Sequence, residues 1–341
     1  MLEYLSSLPG AISLGLIWGI MAIGVYITYR ILDIPDLTVD GSFATGAAVT
    51  GILIVSGVPF PLALLIGFLA GGLCGLVTGL LHVVFGIPAI LAGILTQLML
   101  WSINLKILGG KANLAISSLT NSVFVTQNYI GDSLWKVGLT LAIVIALLYF
   151  FFGTSFGASI RATGNNPRMA RAQGINVKRN KVVGLALSNA LVALAGGILA
   201  QYQGFADATM GRGAIVIGLA AVIIGEAILT PKALARSIVP NNGNASPEVL
   251  AKEARPVRMF FRRFKSNFAV RLSGVALGAI IYYIVYQSVV FLGLDTDLLK
   301  MLSALVVVLF LGVPYVRKEI WGRISRARAK KRLISGEGAK E

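Results

Sequence analysis

The sequence predicts an all-α, polytopic transmembrane protein of eight or nine spans, and three observations carry that prediction. The 341 residues are 56% hydrophobic and only 13% charged, with a mean hydropathy of +0.82, whereas soluble domains carry about 25% charged residues. The stretches 4–29, 41–105, 137–160, 182–206, 213–225, 272–294 and 301–316 contain no Asp, Glu, Lys or Arg, and a helix needs about 20 apolar residues to cross the hydrocarbon core. The charge is also segregated. Of the 30 Lys and Arg, 24 lie in 157–181, 231–271 and 315–341. A net charge of +16 would suggest nucleic acid in a soluble chain; gathered into three loops between apolar runs, it marks the cytoplasmic face.

The elements follow in order from those anchors. A first span is expected near 10–30. Residues 1–29 hold Glu3 and no Lys or Arg, so the basic start of a cleaved signal peptide is missing and the N-terminus is expected outside. The run 41–105 is punctuated at Gly57-Val58-Pro59 and Gly86-Ile87-Pro88, which divides it into three spans. Its first part, 37–57, is rich in Gly, Ser and Thr and fits a broken or re-entrant helix as well, which lowers the count to eight. Spans near 137–156 and 182–203 flank the first basic loop, and one near 211–230 returns to the second. Two more, near 271–293 and 298–316, leave the C-terminus inside. The chain therefore divides into a transmembrane core 1–230 containing the loop 157–181, a basic insert 231–270, a helix pair 271–316 and a basic tail 317–341.

Ionisable groups at a span centre cost about 2.5–3.5 kcal/mol on insertion scales, so each is a candidate for function. Asp33, Asp36 and Asp40 cluster in Leu32-Asp33-Ile34-Pro35-Asp36-Leu37-Thr38-Val39-Asp40-Gly41-Ser42. Pro35 and Gly41 interrupt regular helix, and irregular backbone at membrane depth is tolerated only where it is buried in protein or lines a cavity. A pathway element fits these residues, and so does a short cytoplasmic loop with capping Asp and Ser. Glu226 closes the uncharged run 213–225, about 20 Å of helix from Arg212, as a gate, a partner for a basic-loop Arg or an interfacial carboxylate. Gln97, Asn104, Asn189 and Gln201 lie in or near spans, where interhelical hydrogen bonds and ligand contacts both use such groups. His82 reads as structural. With Cys74 the single cysteine and His82 the single histidine, a disulfide framework and any two-histidine site are excluded. Gly67 to Gly75 and Ala195-Gly196-Gly197 mark close helix packing.

The first basic loop, Gly164-Asn165-Asn166-Pro167-Arg168-Met169-Ala170-Arg171-Ala172-Gln173-Gly174-Ile175, carries its own punctuation. Asn165 or Asn166 can cap a helix with Pro167 in its first turn, and Gly174 can end it. A two-turn helix is marginal alone, so it needs a surface to lie on, and a docking element and a lipid-interface helix both satisfy that need.

These residues resemble a known family. Gly164 to Ala170 with Gly174-Ile175, then Gly184-Leu185-Ala186-Leu187-Ser188-Asn189 and Ala195-Gly196-Gly197, are similar to inner-membrane permeases of ABC importers for branched-chain amino acids, ribose and nucleosides. So are Asp36 to Ser42 and Ile217 to Glu226. Pro35 to Phe43, Ile87 to Thr96, Ser102 to Leu105 and Gly109 to Asn113 resemble a subgroup with some members linked to aromatic amino acids.

The resemblance covers about 10–230 and 271–316. It implies a type II ABC importer permease fold in the bacterial inner membrane and a homodimeric or pseudo-dimeric core. Its partners would be two cytoplasmic ABC ATPase subunits and an extracytoplasmic substrate-binding protein. ATP would be bound by the ATPase partner, leaving this chain with no cofactor, metal or catalytic residue. By that analogy Gly164, Asn165, Asn166, Pro167, Arg168, Ala170, Arg171, Gly174 and Ile175 dock on the ATPase. Asp36, Thr38, Asp40 and Ser42, with Gln97, Asn104, Asn189 and Glu226, would line the translocation path.

The insert 231–270 is longer than the resemblance leads one to expect. Its Pro256-Val257-Arg258-Met259-Phe260-Phe261-Arg262-Arg263-Phe264-Lys265 has the pattern of an amphipathic helix on anionic membrane lipid rather than a nucleic-acid surface. No Gly-x-x-x-x-Gly-Lys-Ser/Thr occurs in the chain, so nucleotide chemistry is expected elsewhere. The alternative from another class is an ATP-independent secondary transporter. Such proteins usually carry inverted repeats and midplane ion ligands, and the sequence displays neither. A membrane-embedded enzyme would need an acid–base or metal cluster within a span. An amino acid zwitterion needs partners for both charges. The spans offer mainly uncharged polar groups, which suggests that cargo is selected by the binding protein.

Overall fold

The computed structural model describes residues 2–117, 123–229 and 267–291, together with 301, 305 and 308. Residues 293–341 make a unit of their own. The expected span near 298–316 and the tail lie outside the described residues apart from those three positions, and so does nearly all of the insert 231–270.

Helix α1 is Leu2–Tyr26 and continues into a wide turn, Ile27–Ile31. There follow α2 Val39–Val55, α3 Phe60–Val83, α4 Ala89–Ile107, strand β1 Asn113–Ala115, α5 Ile130–Gly153, α6 Ser155–Asn165 and α7 Pro167–Ala172. Then come α8 Val177–Gln203, strand β2 Phe205–Asp207, α9 Ala214–Ile228 and α10 Phe268–Phe291. Among the described residues six helices, α1, α3, α4, α5, α8 and α10, are long and apolar enough to cross a membrane.

Two expected spans are shorter than full crossings. Helices α2 and α9 have 17 and 15 residues, about 26 and 23 Å at 1.5 Å per residue, against a core of about 30 Å. The segment 37–57 forms one short helix, with Ile34 to Leu37 non-helical ahead of it. The segment 211–230 loses its first turn to Gly211–Gly213, where Gly213 has φ +87° and opens α9. Two long helices start earlier than expected from their charges. Helix α5 begins at Ile130, and Asp132 and Lys136 pair across one turn at 2.7 Å near its start. Helix α8 begins at Val177, where the Asn176 side chain accepts the Arg179 N–H at 3.1 Å.

Helix α8 forms the centre of the bundle. It packs against α2, α3 and α1 through small residues: Gly46 against Ala193, Gly196 against Phe43, and Gly71 and Gly75 against the α8 backbone. At Gly46 an added methyl would overlap the Ala193 carbonyl. A second set, α1, α9 and α10, closes in the same way through Gly15 against Ile280 and Gly225 against Gly274. The outward faces of α3, α4 and α5 expose Leu62, Leu69, Leu73, Leu98, Leu147 and Phe150. Only an apolar solvent or another apolar surface tolerates such a girdle.

The short helices run in opposite directions from the level of the middle of α8. Ser42, Gly46 and Thr50 lie beside Asn189, Ala193 and Gly197. So α2 runs alongside α8 from that helix's midpoint to its C-terminal end. There β1 and β2 pair antiparallel, Leu114 opposite Ala206, over a cluster of Ala47, Ile54, Leu108 and Ile116. Gly213 lies beside Asp40 while Glu226 meets Arg30, so α9 runs from the same midpoint toward the end carrying α6 and α7. The two N-termini face each other inside the bundle.

Close packing makes a clear prediction. Gly46→Val should lower the detergent melting temperature by several degrees, the overpacking cost being about 1–3 kcal/mol. Gly72→Ala, whose methyl would meet Ala190 at an ordinary 3.7 Å, should leave it unchanged. Thermal unfolding followed by size-exclusion chromatography compares the two.

Candidate functional site at the helix break

The three clustered aspartates have three separate jobs. Asp33 ends α1: the Leu32 N–H reaches back to the Ile27 carbonyl and the Ile34 N–H to the Thr28 carbonyl, both at 3.0 Å. That closure needs a left-handed residue between them, and Asp33 supplies it at φ +56°. Its side chain is exposed.

Asp36 is buried, at 4% exposure. Its Oδ1 accepts the Thr38 N–H at 2.9 Å and its Oδ2 accepts Asn189 Nδ2 at 2.7 Å. Asn189 Oδ1 in turn accepts the Ser42 hydroxyl at 2.6 Å. The Thr38 and Thr78 hydroxyls share a 2.8 Å hydrogen bond, and Thr78 donates to Thr96 at 3.0 Å. Four expected path residues, Asp36, Thr38, Ser42 and Asn189, are therefore one buried network joining α2 to α8. Thr78 and Thr96 extend it to α3 and α4. Of this segment Asp33 is exposed and Asp36 is buried in the network.

Asp40 lies in the first turn of α2 and caps α9. Its Oδ2 accepts the Gly213 N–H at 3.0 Å and its Oδ1 the Ile215 N–H at 2.9 Å. The carboxylate thus satisfies orphan donors at the positive end of a helix. Beside it is a half-open pocket of about 260 Å3 lined by Asp40, Gln97, Trp101, Asn104, Thr209 and Arg212, among others. Asn104 is fully buried, and among the described residues neither its Oδ1 nor its Nδ2 has a hydrogen-bond partner. A buried amide without partners costs about 1–3 kcal/mol.

Asp40, Gln97 and Asn104 come together at this pocket. Glu226 does not: it sits about 20 Å further along α9 from Gly213 and pairs with Arg30, in the wide turn that continues α1, at 2.7 Å. Gln201 accepts the Phe124 N–H at 2.8 Å, and His82 holds the Ile87 carbonyl at 2.9 Å. Trp101, Arg212, Thr78 and Thr96 escaped the reading of the sequence. Trp101 and Asn104 follow Gln97 at four and seven residues, one helix face, and that spacing was the available signal. Nothing local pairs Arg212 with Asp40.

The basic loop folds as its punctuation dictates. Asn165 closes α6, and Asn166 rather than Asn165 caps α7, its Oδ1 accepting the N–H groups of Arg168 at 3.1 Å and Met169 at 3.0 Å. Pro167 is the first residue of α7. Gly174 turns the chain out at φ +77°, and Ile175 N–H returns to the Ala170 carbonyl at 3.0 Å. Ala170 is buried while Arg168, Met169 and Arg171 are exposed. Helix α6 is fastened to α8 by Asn180, whose Nδ2 donates to Thr163 at 2.9 Å and Ser159 at 3.1 Å. Gly164 lies directly on the Ile31–Leu32 backbone.

Apolar helices enclosing two shorter helices whose N-termini meet at a polar pocket fit a multi-pass membrane transport protein. Residues 8–311 match the family described as branched-chain amino acid transport system / permease component, and the chain belongs to that family. It is a permease component of an ABC-type transport system rather than a catalytic enzyme. It is 33% identical over 310 residues to the tyrosine transport system permease protein of Clostridioides difficile (strain R20291), covering 90% of this chain and 91% of that one. It is 31% identical over 305 residues to the uncharacterized protein RP368 of Rickettsia prowazekii (strain Madrid E), with 88% and 94% covered. Over 210 residues it is 28% identical to the autoinducer 2 import system permease protein LsrC of Salmonella typhimurium, with 60% and 58% covered. No solved structure matches the chain.

The division of labour among the aspartates is testable by melting temperature. Asp36→Ala orphans the buried Thr38 N–H, at about 1–3 kcal/mol, and leaves Asn189 Nδ2 with only the Leu185 carbonyl at 3.0 Å, so it should be destabilising. Asp33→Gly should be neutral or stabilising, since glycine takes φ +56° without strain.

Proposed function

We propose that this chain is the permease of a binding-protein-dependent ABC importer that moves an aromatic amino acid into the cytoplasm, with ATP hydrolysis on separate ATPase subunits. The end carrying α6 and α7 faces the cytoplasm, the N-terminus lies outside, and a second copy completes the core. The observation that carries the reading is α7: a six-residue helix capped by Asn166, exposing Met169 between Arg168 and Arg171, held from beneath by α6. A helix this short does not persist without support, and its exposed side offers an ATPase groove an apolar tip flanked by two cations. Gly164, Asn165, Asn166, Pro167, Ala170, Gly174 and Ile175 build that element.

The mechanical route is short. Helix α6 is tied to α8 through Asn180 and rests on the Ile31–Leu32 backbone. From there Asp33, Asp36 and Asp40 lead to the start of α2 and of α9. ATP binding by the partners would displace α7 and bias two packings of this region, as helix shifts do in other switches. Asp36, Thr38, Asp40, Ser42, Gln97, Asn104 and Asn189 would then move with the path they line, and the exposed pair Arg30–Glu226 would act as an inner gate. The substrate class is supported by the tyrosine permease to which the chain is similar. Two short helices whose N-termini meet inside the bundle would also serve an ATP-independent secondary transporter, so the test separates the two.

Affinity purification from native membranes in mild detergent should recover an ABC ATPase and a substrate-binding protein. Arg171→Glu should abolish ATP-dependent uptake while leaving the melting temperature unchanged. It is a cleaner variant than Gly174→Asp, which also strains the backbone at φ +77°. Uptake by the chain alone in ATP-free proteoliposomes would replace this reading with the secondary transporter.

A further inference from the structure

We infer that the hollow where α5, α6 and α10 meet binds the phosphate of an anionic membrane phospholipid, with Arg161 as its principal ligand and the exposed face of α5 as the bed of an acyl chain. The inference is independent of what the permease carries and of the pocket beside Asp40.

The ends of the helices set the place. Helices α5 and α10 are both long and apolar enough to cross a membrane, and one ends at Gly153 where the other begins at Phe268. At those ends lies a hollow of about 500 Å3, lined by Tyr149, Phe150, Phe152, Arg161, Asn267 and Phe268, among others. Lipid headgroups begin where apolar spans stop, so the hollow falls at their level. Its floor is firm. Phe152 is buried against Phe268, ring centroids 4.9 Å apart, and Gly157 of α6 lies directly on the Phe151–Phe152 backbone.

The lining has an apolar part and a cationic part. Phe150 is 73% exposed and continues the exposed line Leu139, Ile143 and Leu147 along α5, a spacing that keeps one helix face. Tyr149 beside it is the kind of ring that settles at a membrane–water interface. Arg161 is exposed on α6, and among the described residues it has no ion-pair partner. Its planar fork matches two phosphate oxygens. The Asn267 amide, also exposed, offers a further donor. Thr154 is already engaged, donating to the Phe151 carbonyl at 2.6 Å and accepting the Gly157 N–H at 3.2 Å.

Charge narrows the class. The two stretches of chain that supply the lining lie within 137–206 and 254–294, which contain no Asp or Glu. Arg258, Arg262, Arg263 and Lys265 precede Asn267 in the sequence. A zwitterionic headgroup brings an ammonium that finds no carboxylate here, whereas an anionic one brings only charge that the arginine can take. Basic pockets between helices at a membrane face hold anionic headgroups in this way. A free phosphate would use Arg161 equally but leaves the exposed rings of α5 uncovered; a lipid covers both.

The test is native mass spectrometry of the purified full-length chain in detergent, titrated with phosphatidylglycerol, with phosphatidylethanolamine of the same acyl chains, and with glycerol phosphate. Phosphatidylglycerol should bind more tightly than phosphatidylethanolamine, and a large excess of glycerol phosphate should not displace it. Arg161→Gln should weaken phosphatidylglycerol about 10-fold or more, the loss expected for a hydrogen bond to a charged group. Lys178→Gln, at the same end of the bundle and outside the hollow, should weaken it about 5-fold at most, the share of one cation in a diffuse attraction. Arg161→Lys, which serves if Arg161→Gln does not fold, keeps the charge without the fork and should fall between wild type and Arg161→Gln. Equal losses in Arg161→Gln and Lys178→Gln, or no preference for phosphatidylglycerol over phosphatidylethanolamine, would overturn the site. Displacement by glycerol phosphate would overturn the lipid as its occupant in favour of a free phosphate.

Discussion

The constraint on which this structure depends is that backbone polar groups at membrane depth find partners inside the protein. A continuous helix meets it automatically. This chain leaves helix at Leu32–Thr38 and again at Gly204–Gly213, and the donors freed inside the bundle need partners of their own. Asp36 and Asp40 answer for both. One carboxyl accepts the Thr38 N–H and anchors Asn189; the other accepts Gly213 and Ile215. Two acidic residues that look costly in isolation are what make two interrupted helices admissible.

Placing carboxylates there dictates the packing around them. Asp36 meets Asn189 only if α2 lies within side-chain reach of α8, and Gly46 and Gly196 remove the side chains that would keep the helices apart. Asp40 reaches α9 only if Gly211 lies flat against the Asp40 backbone. The glycine positions and the aspartate positions are thus two halves of one arrangement. The pocket is its by-product: where two helices stop short, the space between their ends is lined by α4 and by the residues preceding α9.

The same arrangement links distant parts of the chain. The wide turn at Ile27–Ile31 receives Gly164 of α6 on one side and, a few residues on, leads to Asp36 and Asp40. Packed backbone thus runs from α6 through the wide turn to the segment that carries Asp36 and Asp40. Arg30 and Glu226 bind the ends of α1 and α9 where that path begins.

Much of this was legible in the residues. The uncharged runs, the three basic segments and the Gly–x–Pro breaks at 57–59 and 86–88 located α1, α3, α4, α5, α8 and α10, because hydropathy and charge are properties of a segment and act wherever the segment lies. Asn166, Pro167 and Gly174 determined α7, since capping and left-handed glycine are local. The sequence also marked 33–42 as unusual while leaving two readings open. Only the tertiary structure decided between them. It buried Asp36 and exposed Asp33, shortened α2 and α9, paired Glu226 with Arg30, and set Asp40, Asn104 and Arg212 around one pocket. Those outcomes join residues tens to nearly two hundred positions apart. No periodicity or motif records such a pairing, because it follows from which helices pack together and how deep in the bundle each one stops.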